Sequence, residues 1–184
     1  EAEKKVFSVW SNGVGDGQGG IYNRLNPVVD NAVVYAASAS GKVEAMTLDR
    51  GKTLWSVNVD TALSGGVGAG GDLVLVGSVS GKLIALNQSD GEVRWQVLIN
   101  GEILAAPQTN GRQVIVQTLA GEVVGLAIES GEKLWSYNAT VPVLTLRGTS
   151  TPLIHRDDVL TGFANGKVVS FNAVTGAVNW EARA

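Results

Sequence analysis

The sequence contains no cysteine, one histidine and four prolines, and only 17% of its 184 residues are charged. The absence of cysteine excludes disulfides, thiol catalysis and thiolate metal sites, but it leaves the cellular compartment open. No apolar run approaches the roughly 20 residues that a membrane-spanning helix needs. Because the net charge is −3 and the lysines and arginines are scattered, nothing indicates a nucleic-acid partner.

Residues for catalysis are also scarce. His155 stands alone beside Arg156, and we interpret it as a solvated residue. Asp157 and Asp158 are adjacent, so on a strand they would point to opposite sides and make a poor acid–base pair. No cluster has the spacing of metal ligands, and no serine, histidine and acid form a defensible triad. We therefore predict no enzyme activity, no catalytic residue, no metal and no cofactor.

What the chain does have is 24 glycines and an internal repeat. Each copy opens with a glycine, continues with alternating apolar residues, and has a second glycine ten residues later and a tryptophan four residues after that. The copies lie at 41–55, 81–95, 121–135 and 166–180, a spacing of 40 to 45 residues that is typical of repeat architectures. The repeated residues are Trp10, Trp55, Trp95, Trp135 and Trp180, with Gly51, Gly91, Gly131 and Gly176.

Each copy predicts two strands joined by a turn, and two further β-prone runs precede it. Four antiparallel strands per unit are typical of a propeller blade, so we predict an all-β chain that forms a partial β-propeller over residues 1–184. The predicted elements are a lone outer strand at 6–10 and four blades at about 26–59, 65–99, 104–139 and 150–183.

The repeated tryptophans are predicted to be structural. An indole ring near each outer strand can be wedged between neighbouring blades, where the facing glycine leaves room for it. The alternative is an aromatic binding platform, which the regular spacing argues against. We expect Trp55, Trp95 and Trp135 to be mostly buried between adjacent blades, and Trp10 or Trp180, at the open ends, to be more exposed.

Two connections between copies are five residues longer than the others, at 11–26 and 137–150. Both should lie on one side of the disc. The first is rich in glycine but lacks the Lys-Ser/Thr of a phosphate-binding loop. The second contains Leu144, Leu146 and Arg147. Those residues are either a packed extension of the inner strand or an exposed apolar edge with an arginine, which is typical of binding hot spots.

The repeat resembles the PQQ-type propeller pattern Ala-x-Asp-x-x-Thr-Gly-x-x-x-Trp, whose glycine and tryptophan match in all four copies. More closely, the chain is similar to the BamB family of outer-membrane assembly lipoproteins of Gram-negative bacteria. The stretches that carry this resemblance are Trp10-Ser11 with its glycine loop, 31–37, 63–67, 85–91 and the Leu-Thr-Leu-Arg-Gly of 144–148.

The resemblance implies eight blades, of which this chain would hold the N-terminal half. It further implies a scaffold at the periplasmic face of the outer membrane, held by a lipidated N-terminal cysteine that is not in this chain. Its partners would be the BAM complex, unfolded outer-membrane proteins and a POTRA domain of BamA, with Leu144, Leu146 and Arg147 docking on that domain. An acidic loop that shares this contact would fall in the missing half.

Two alternatives remain open. A fragment of a PQQ-dependent dehydrogenase would resemble the repeat, but such enzymes typically need a calcium-binding cluster and a cysteine pair. A propeller scaffold with unrelated partners is the other. In every case a half ring would leave two blade faces open to water, so we expect the fragment to pair with a second copy or with the missing half.

Overall fold

The computed structural model describes residues 7–20, 23–140 and 149–183. These ranges contain sixteen strands in four sheets, each antiparallel and each with its strands in chain order from the inner edge to the outer edge. Across the same ranges we find no helix long and apolar enough to pass through a membrane.

The sheets have closely similar strand lengths and turns. Sheet 1 consists of β1 (Val28–Asp30), β2 (Val33–Ala37), β3 (Lys42–Thr47) and β4 (Thr53–Asn58), and sheet 2 of β5 (Gly68–Gly70), β6 (Leu73–Gly77), β7 (Lys82–Asn87) and β8 (Val93–Leu98). Sheet 3 consists of β9 (Gln108–Thr109), β10 (Gln113–Gln117), β11 (Glu122–Ala127) and β12 (Lys133–Asn138), and sheet 4 of β13 (Leu153–His155), β14 (Asp158–Gly162), β15 (Lys167–Asn172) and β16 (Val178–Arg183).

The four sheets stack face to face around a common axis. The inner strands β1, β5, β9 and β13 contact one another in sequence, which places each sheet beside the next one along the chain. The predicted fold class, an all-β partial propeller of four-stranded antiparallel blades, is therefore confirmed. Every third strand also shows a register shift against the fourth at the same place, as between Ala45 and Met46.

The core lies between the sheets rather than inside any one of them. Strands β6 and β10 are buried along their whole length because both of their faces pack against a neighbouring sheet. Leu75 and Trp95 of sheet 2 pack with Val124 and Leu126 of sheet 3 in one continuous cluster. Since fully burying one such side chain is worth about 1.5–3 kcal/mol, stacking provides most of the stability that a single sheet could not obtain.

The tryptophans join successive sheets, as predicted. Four of the five rings lie against a repeat glycine that comes after them in the chain, and the Nε1 of each of these four donates a hydrogen bond to a nearby carbonyl. Among the described residues, Trp180 is the exception. Trp95 and Trp135 are buried, Trp55 and Trp10 are half-buried, and Trp180 is 49% exposed. The ring, glycine and carbonyl sets are Trp10 with Gly51 and Leu48 (2.8 Å), Trp55 with Gly91 and Gln88 (2.8 Å), Trp95 with Gly131 and Ile128 (2.7 Å), and Trp135 with Gly176 and Ala173 (2.8 Å).

The N-terminal segment differs from the sequence prediction. Residues 7–10 form no strand, although an outer strand was predicted at 6–10. A strand needs a neighbouring strand for its backbone hydrogen bonds, and none in the described chain pairs with these residues. Trp10 nevertheless contacts Gly51 as the other tryptophans contact their own glycines.

Candidate functional site

One side of the disc carries the turns between the second and third strands of each sheet, at 38–41, 78–81, 118–121 and 163–166. We call this side the hairpin face. Because four antiparallel strands return the chain to the side on which it entered, the connections between sheets lie on this face as well. The described ends of both long connections therefore lie on this face.

The first long connection is fastened to the hairpin of sheet 1. The Asp16 carboxylate accepts a hydrogen bond of 2.8 Å from Ser40 Oγ, and the amide of Ala39 donates to the carbonyl of Gly17 at 2.8 Å. The Ser40 hydrogen bond lowers the pKa of Asp16 from its ordinary value. Gly15 has a φ of +51°, and a β-carbon there would lie 2.5 Å from Ser38 Oγ. Close packing, rather than phosphate binding, thus accounts for a glycine at this position.

The predicted docking residues Leu144, Leu146 and Arg147 lie outside the described residues, so their role stays a prediction. The structure does describe both ends of the connection that contains them. At one end, Asn165 Nδ2 donates a hydrogen bond of 2.7 Å to the carbonyl of Thr140. At the other, Ser150 Oγ accepts from the Gly162 amide at 2.9 Å and donates to the Gly162 carbonyl at 2.8 Å.

A buried polar cluster supports the second of these ends. Gln117 is 2% exposed, its Nε2 donates to the carbonyl of Gly162 at 2.9 Å, and its Oε1 accepts from Thr161 Oγ1 and lies 3.2 Å from Ser150 Oγ. Sequence reasoning missed this cluster. The available signal was that Gln117 occupies the repeat position held by Ala37 and Gly77, four residues before each opening glycine.

A second polar cluster joins sheets 3 and 4 near their outer strands. Lys167 Nζ lies 2.7 Å from Glu181 Oε2, and the Tyr137 hydroxyl donates to Glu181 Oε1 at 2.9 Å. The hydrogen bond to Glu181 raises the pKa of Lys167, and the hydrogen bonds from Lys167 and Tyr137 lower the pKa of Glu181. This arrangement holds two sheets together on the hairpin side.

The residues considered for catalysis lie in one hairpin, where His155 and Asp158 are cross-strand neighbours. His155 ends β13 and is exposed, Asp157 pairs with Arg112 at 2.6 Å, and Asp158 accepts a hydrogen bond from Asn179 at 2.9 Å. Within residues 7–20, 23–140 and 149–183, no three histidine, aspartate or glutamate side chains come together as a group that could hold a metal ion. Although His155 lies opposite Asp158, the hydrogen bonds given for the two aspartates come from Arg112 and Asn179.

Comparisons with known proteins agree with this architecture. Residues 39–184 match the family model described as outer membrane protein assembly factor BamB. The outer membrane protein assembly factor BamB of Pseudomonas aeruginosa is 66% identical over 95% of this chain and 46% of its own length. The crystal structure of BamB from Moraxella catarrhalis superposes with a TM-score of 0.78 at 35% identity, over 86% of this chain and 48% of that one.

A quinohemoprotein alcohol dehydrogenase from Comamonas testosteroni also superposes, with a TM-score of 0.71 over 91% of this chain and 35% of that one. At 16% identity that likeness concerns the fold alone. The chain spans about half the length of the curated relatives that it matches. Because the family model covers most of the chain and the P. aeruginosa relative matches nearly all of it, the chain belongs to the family of outer membrane protein assembly factor BamB.

Proposed function

We propose that this chain is part of a non-catalytic scaffold subunit of the outer-membrane β-barrel assembly machinery. The observation that carries the proposal is the family match over residues 39–184, together with the 66% identity to a relative named for outer membrane protein assembly. Stacked sheets held by tryptophans form a rigid support, and such supports commonly present binding residues on their loops. The subunit would act by positioning partners at the periplasmic face of the outer membrane.

The proposed docking site is the segment with Leu144, Leu146 and Arg147, and the proposed partner is a POTRA domain of BamA. Two features favour this segment. Its ends are held by the hydrogen bonds of Thr140 and Ser150, which would limit the conformational freedom lost on binding. Its composition, two leucines and an arginine, is suited to apolar contact combined with a charge-assisted hydrogen bond.

The experiment compares Arg147→Ala with Arg112→Ala in the full-length protein. Arg112 is the matched control because its guanidinium is exposed and paired with Asp157, on the side opposite the hairpin face. We expect Arg147→Ala to weaken binding to the BamA POTRA domains by about 2 kcal/mol or more, which is about thirty-fold in Kd, at an unchanged Tm. Arg112→Ala should leave the affinity unchanged.

Leu144→Ala separates docking from packing. If the segment docks, this variant weakens the affinity and changes the Tm little. If instead it lowers stability by about 2–5 kcal/mol, as truncation of a core leucine does, and Arg147→Ala leaves affinity intact, the segment is packing and the docking site is wrong.

We further propose that the exposed face of sheet 4 is covered in the assembled protein. Leu153, Val178 and Trp180 are 63%, 43% and 49% exposed on the last sheet. A further sheet that presents a glycine and a carbonyl to Trp180, as Gly176 and Ala173 do to Trp135, would bury this face. Sedimentation of the 184-residue chain checks the idea, since we expect self-association, and a monomer stable to dilution would contradict it.

A further inference from the structure

A groove runs between the outer part of sheet 2 and the face of sheet 3. It encloses a cavity of about 480 Å³, within the usual range of ligand-binding clefts. The walls are apolar, with Val97 and Ile99 on the sheet 2 side and Val124 and Leu126 on the sheet 3 side. Two acidic side chains line it: Glu122, which lies on the same wall as Val124, and Glu132, which is exposed.

Glu122 is only 8% exposed, yet no hydrogen-bond donor or cation of the described chain bonds to its carboxylate. Lys133 also lines the groove, but it is exposed and forms no ion pair with Glu122 among the described residues. Neither carboxylate oxygen is among the fully buried polar atoms that lack a partner, so the charge remains reachable through the groove. A carboxylate that faces a groove and has no donor of its own is suited to a ligand that brings a cation or a hydrogen-bond donor.

The repeat shows that an acid at this position is exceptional. The residue after the opening glycine is Lys42 in sheet 1, Lys82 in sheet 2 and Lys167 in sheet 4, and it is Glu122 only in sheet 3. Lys42 and Lys167 are each paired with a carboxylate, at 2.6 and 2.7 Å. The charge at this repeat position is therefore reversed in one of the four sheets, and the residue that reverses it, Glu122, lines the groove.

We propose that this groove binds a lysine or arginine side chain of an extended polypeptide partner. The cation would pair with Glu122, and its aliphatic stem would lie along Val124 and Leu126, as long basic side chains do on apolar surfaces. This site is distinct from the segment at 144–147 and does not depend on docking there.

The strand beside the groove favours a polypeptide over a small molecule. β8 is the outermost strand of sheet 2, so one of its edges has no strand partner in the described chain. Val97 and Leu98 belong to this strand and also line the groove, and Leu98 is 78% exposed. An extended segment could pair with such an edge and direct alternate side chains into the groove.

The test uses the full-length protein and the peptide acetyl-Thr-Leu-Lys-Leu-Thr-amide, with affinities measured by calorimetry. The control peptide replaces lysine by norleucine, which keeps the stem and removes the charge. We expect the lysine peptide to bind at least ten-fold more tightly than the control. Glu122→Gln and Glu122→Lys should lower its affinity at least ten-fold at an unchanged Tm, since lysine occupies the equivalent position in the other sheets.

Equal affinity for the two peptides, unchanged affinity in both variants, or no binding to the unmodified protein would each overturn the proposal. If the Glu122→Lys variant does not fold, the affinity of the Glu122→Gln variant for the lysine peptide decides the question. A separate binding measurement with butylammonium distinguishes a polypeptide side chain from a small organic cation. If it binds as tightly as the lysine peptide, the occupant is a small organic cation and the polypeptide assignment is wrong.

Discussion

The indole ring of Trp95 lies directly against the α-carbon of Gly131, and its Nε1 donates a hydrogen bond of 2.7 Å to the carbonyl of Ile128 in the same turn. A β-carbon on Gly131 would lie 2.6 Å from Trp95 Cε3. The turn of one sheet therefore binds the ring of the previous sheet in two ways: its glycine leaves space for the ring, and its carbonyl accepts a hydrogen bond from Nε1. Because this contact recurs from sheet to sheet, it is the main specific link in the stack.

Gly131→Ala tests the shape of this contact. Gly131 has a φ of +72°, so alanine there should cost about 1–2 kcal/mol for the left-handed backbone and about 1–3 kcal/mol more for overpacking against the ring. Gly111→Ala is the control, because Gly111 has a φ of +80° but nothing within 4 Å of its missing β-carbon. Urea denaturation measures both variants, and equal losses would show that the ring does not need the glycine.

Trp95→Ala should lower the free energy of unfolding by about 3–5 kcal/mol, since it removes a buried aromatic ring between two sheets. Trp180→Ala in the same 184-residue chain should cost about 1 kcal/mol or less, because this ring is 49% exposed there. Thermal melts of the two variants provide the comparison. An unchanged Tm for Trp95→Ala would refute the assignment of the tryptophans as links between sheets.

Gln117→Leu should be destabilising by about 1–3 kcal/mol, because the hydroxyl of Thr161 and the carbonyl of Gly162 lose a buried partner. Gln113 is the matched control. It lies on the same strand and is buried, but its Oε1 has no partner in the described chain and its Nε2 reaches Val174 O only at 3.5 Å. Gln113→Leu should therefore leave the free energy of unfolding unchanged or raise it, as measured by chemical denaturation. If Gln113→Leu were more destabilising than Gln117→Leu, the hydrogen-bond assignment would be contradicted.

The Lys167–Glu181 pair predicts a defined pH dependence. The pKa of Glu181 is lowered in the folded state, so its contribution is present above its ordinary value of 4.5 and is lost as the pH falls through the folded pKa. The pKa of Lys167 is raised, so its contribution is present below 10.5 and is lost as the pH rises through the folded pKa. Thermal melts across the acid range should show a smaller fall in Tm for Lys167→Met than for the unmodified chain.

Lys52→Met is the control for this pH dependence, because Lys52 is exposed and forms no ion pair in the part of the chain that the structure describes. Its Tm should follow that of the unmodified chain at every pH. A parallel acid response of Lys167→Met and Lys52→Met would mean that the Glu181 contact contributes nothing in solution.

The repeat was readable from the sequence because it arises from local chemistry. Turn glycines, alternating apolar residues and a tryptophan at a constant distance predict four strands per copy wherever they occur. The same pattern predicted that Trp55, Trp95 and Trp135 would be mostly buried between blades. In the structure Trp95 and Trp135 are buried and Trp55 is half-buried. The docking role of Leu144, Leu146 and Arg147 came from resemblance and remains a prediction.

Contacts that do not repeat were decided only by the tertiary structure. Periodicity does not tell which side chain of the next sheet faces Gln117 or Glu122, because that depends on how the sheets rotate and stack. Stacking placed Gln117 against Thr161 and Gly162, and it left the carboxylate of Glu122 in an apolar groove without a partner among the described residues. The sequence alone determined the blades, because their strands and turns form from neighbouring residues, whereas the polar contacts between blades join residues far apart in the chain.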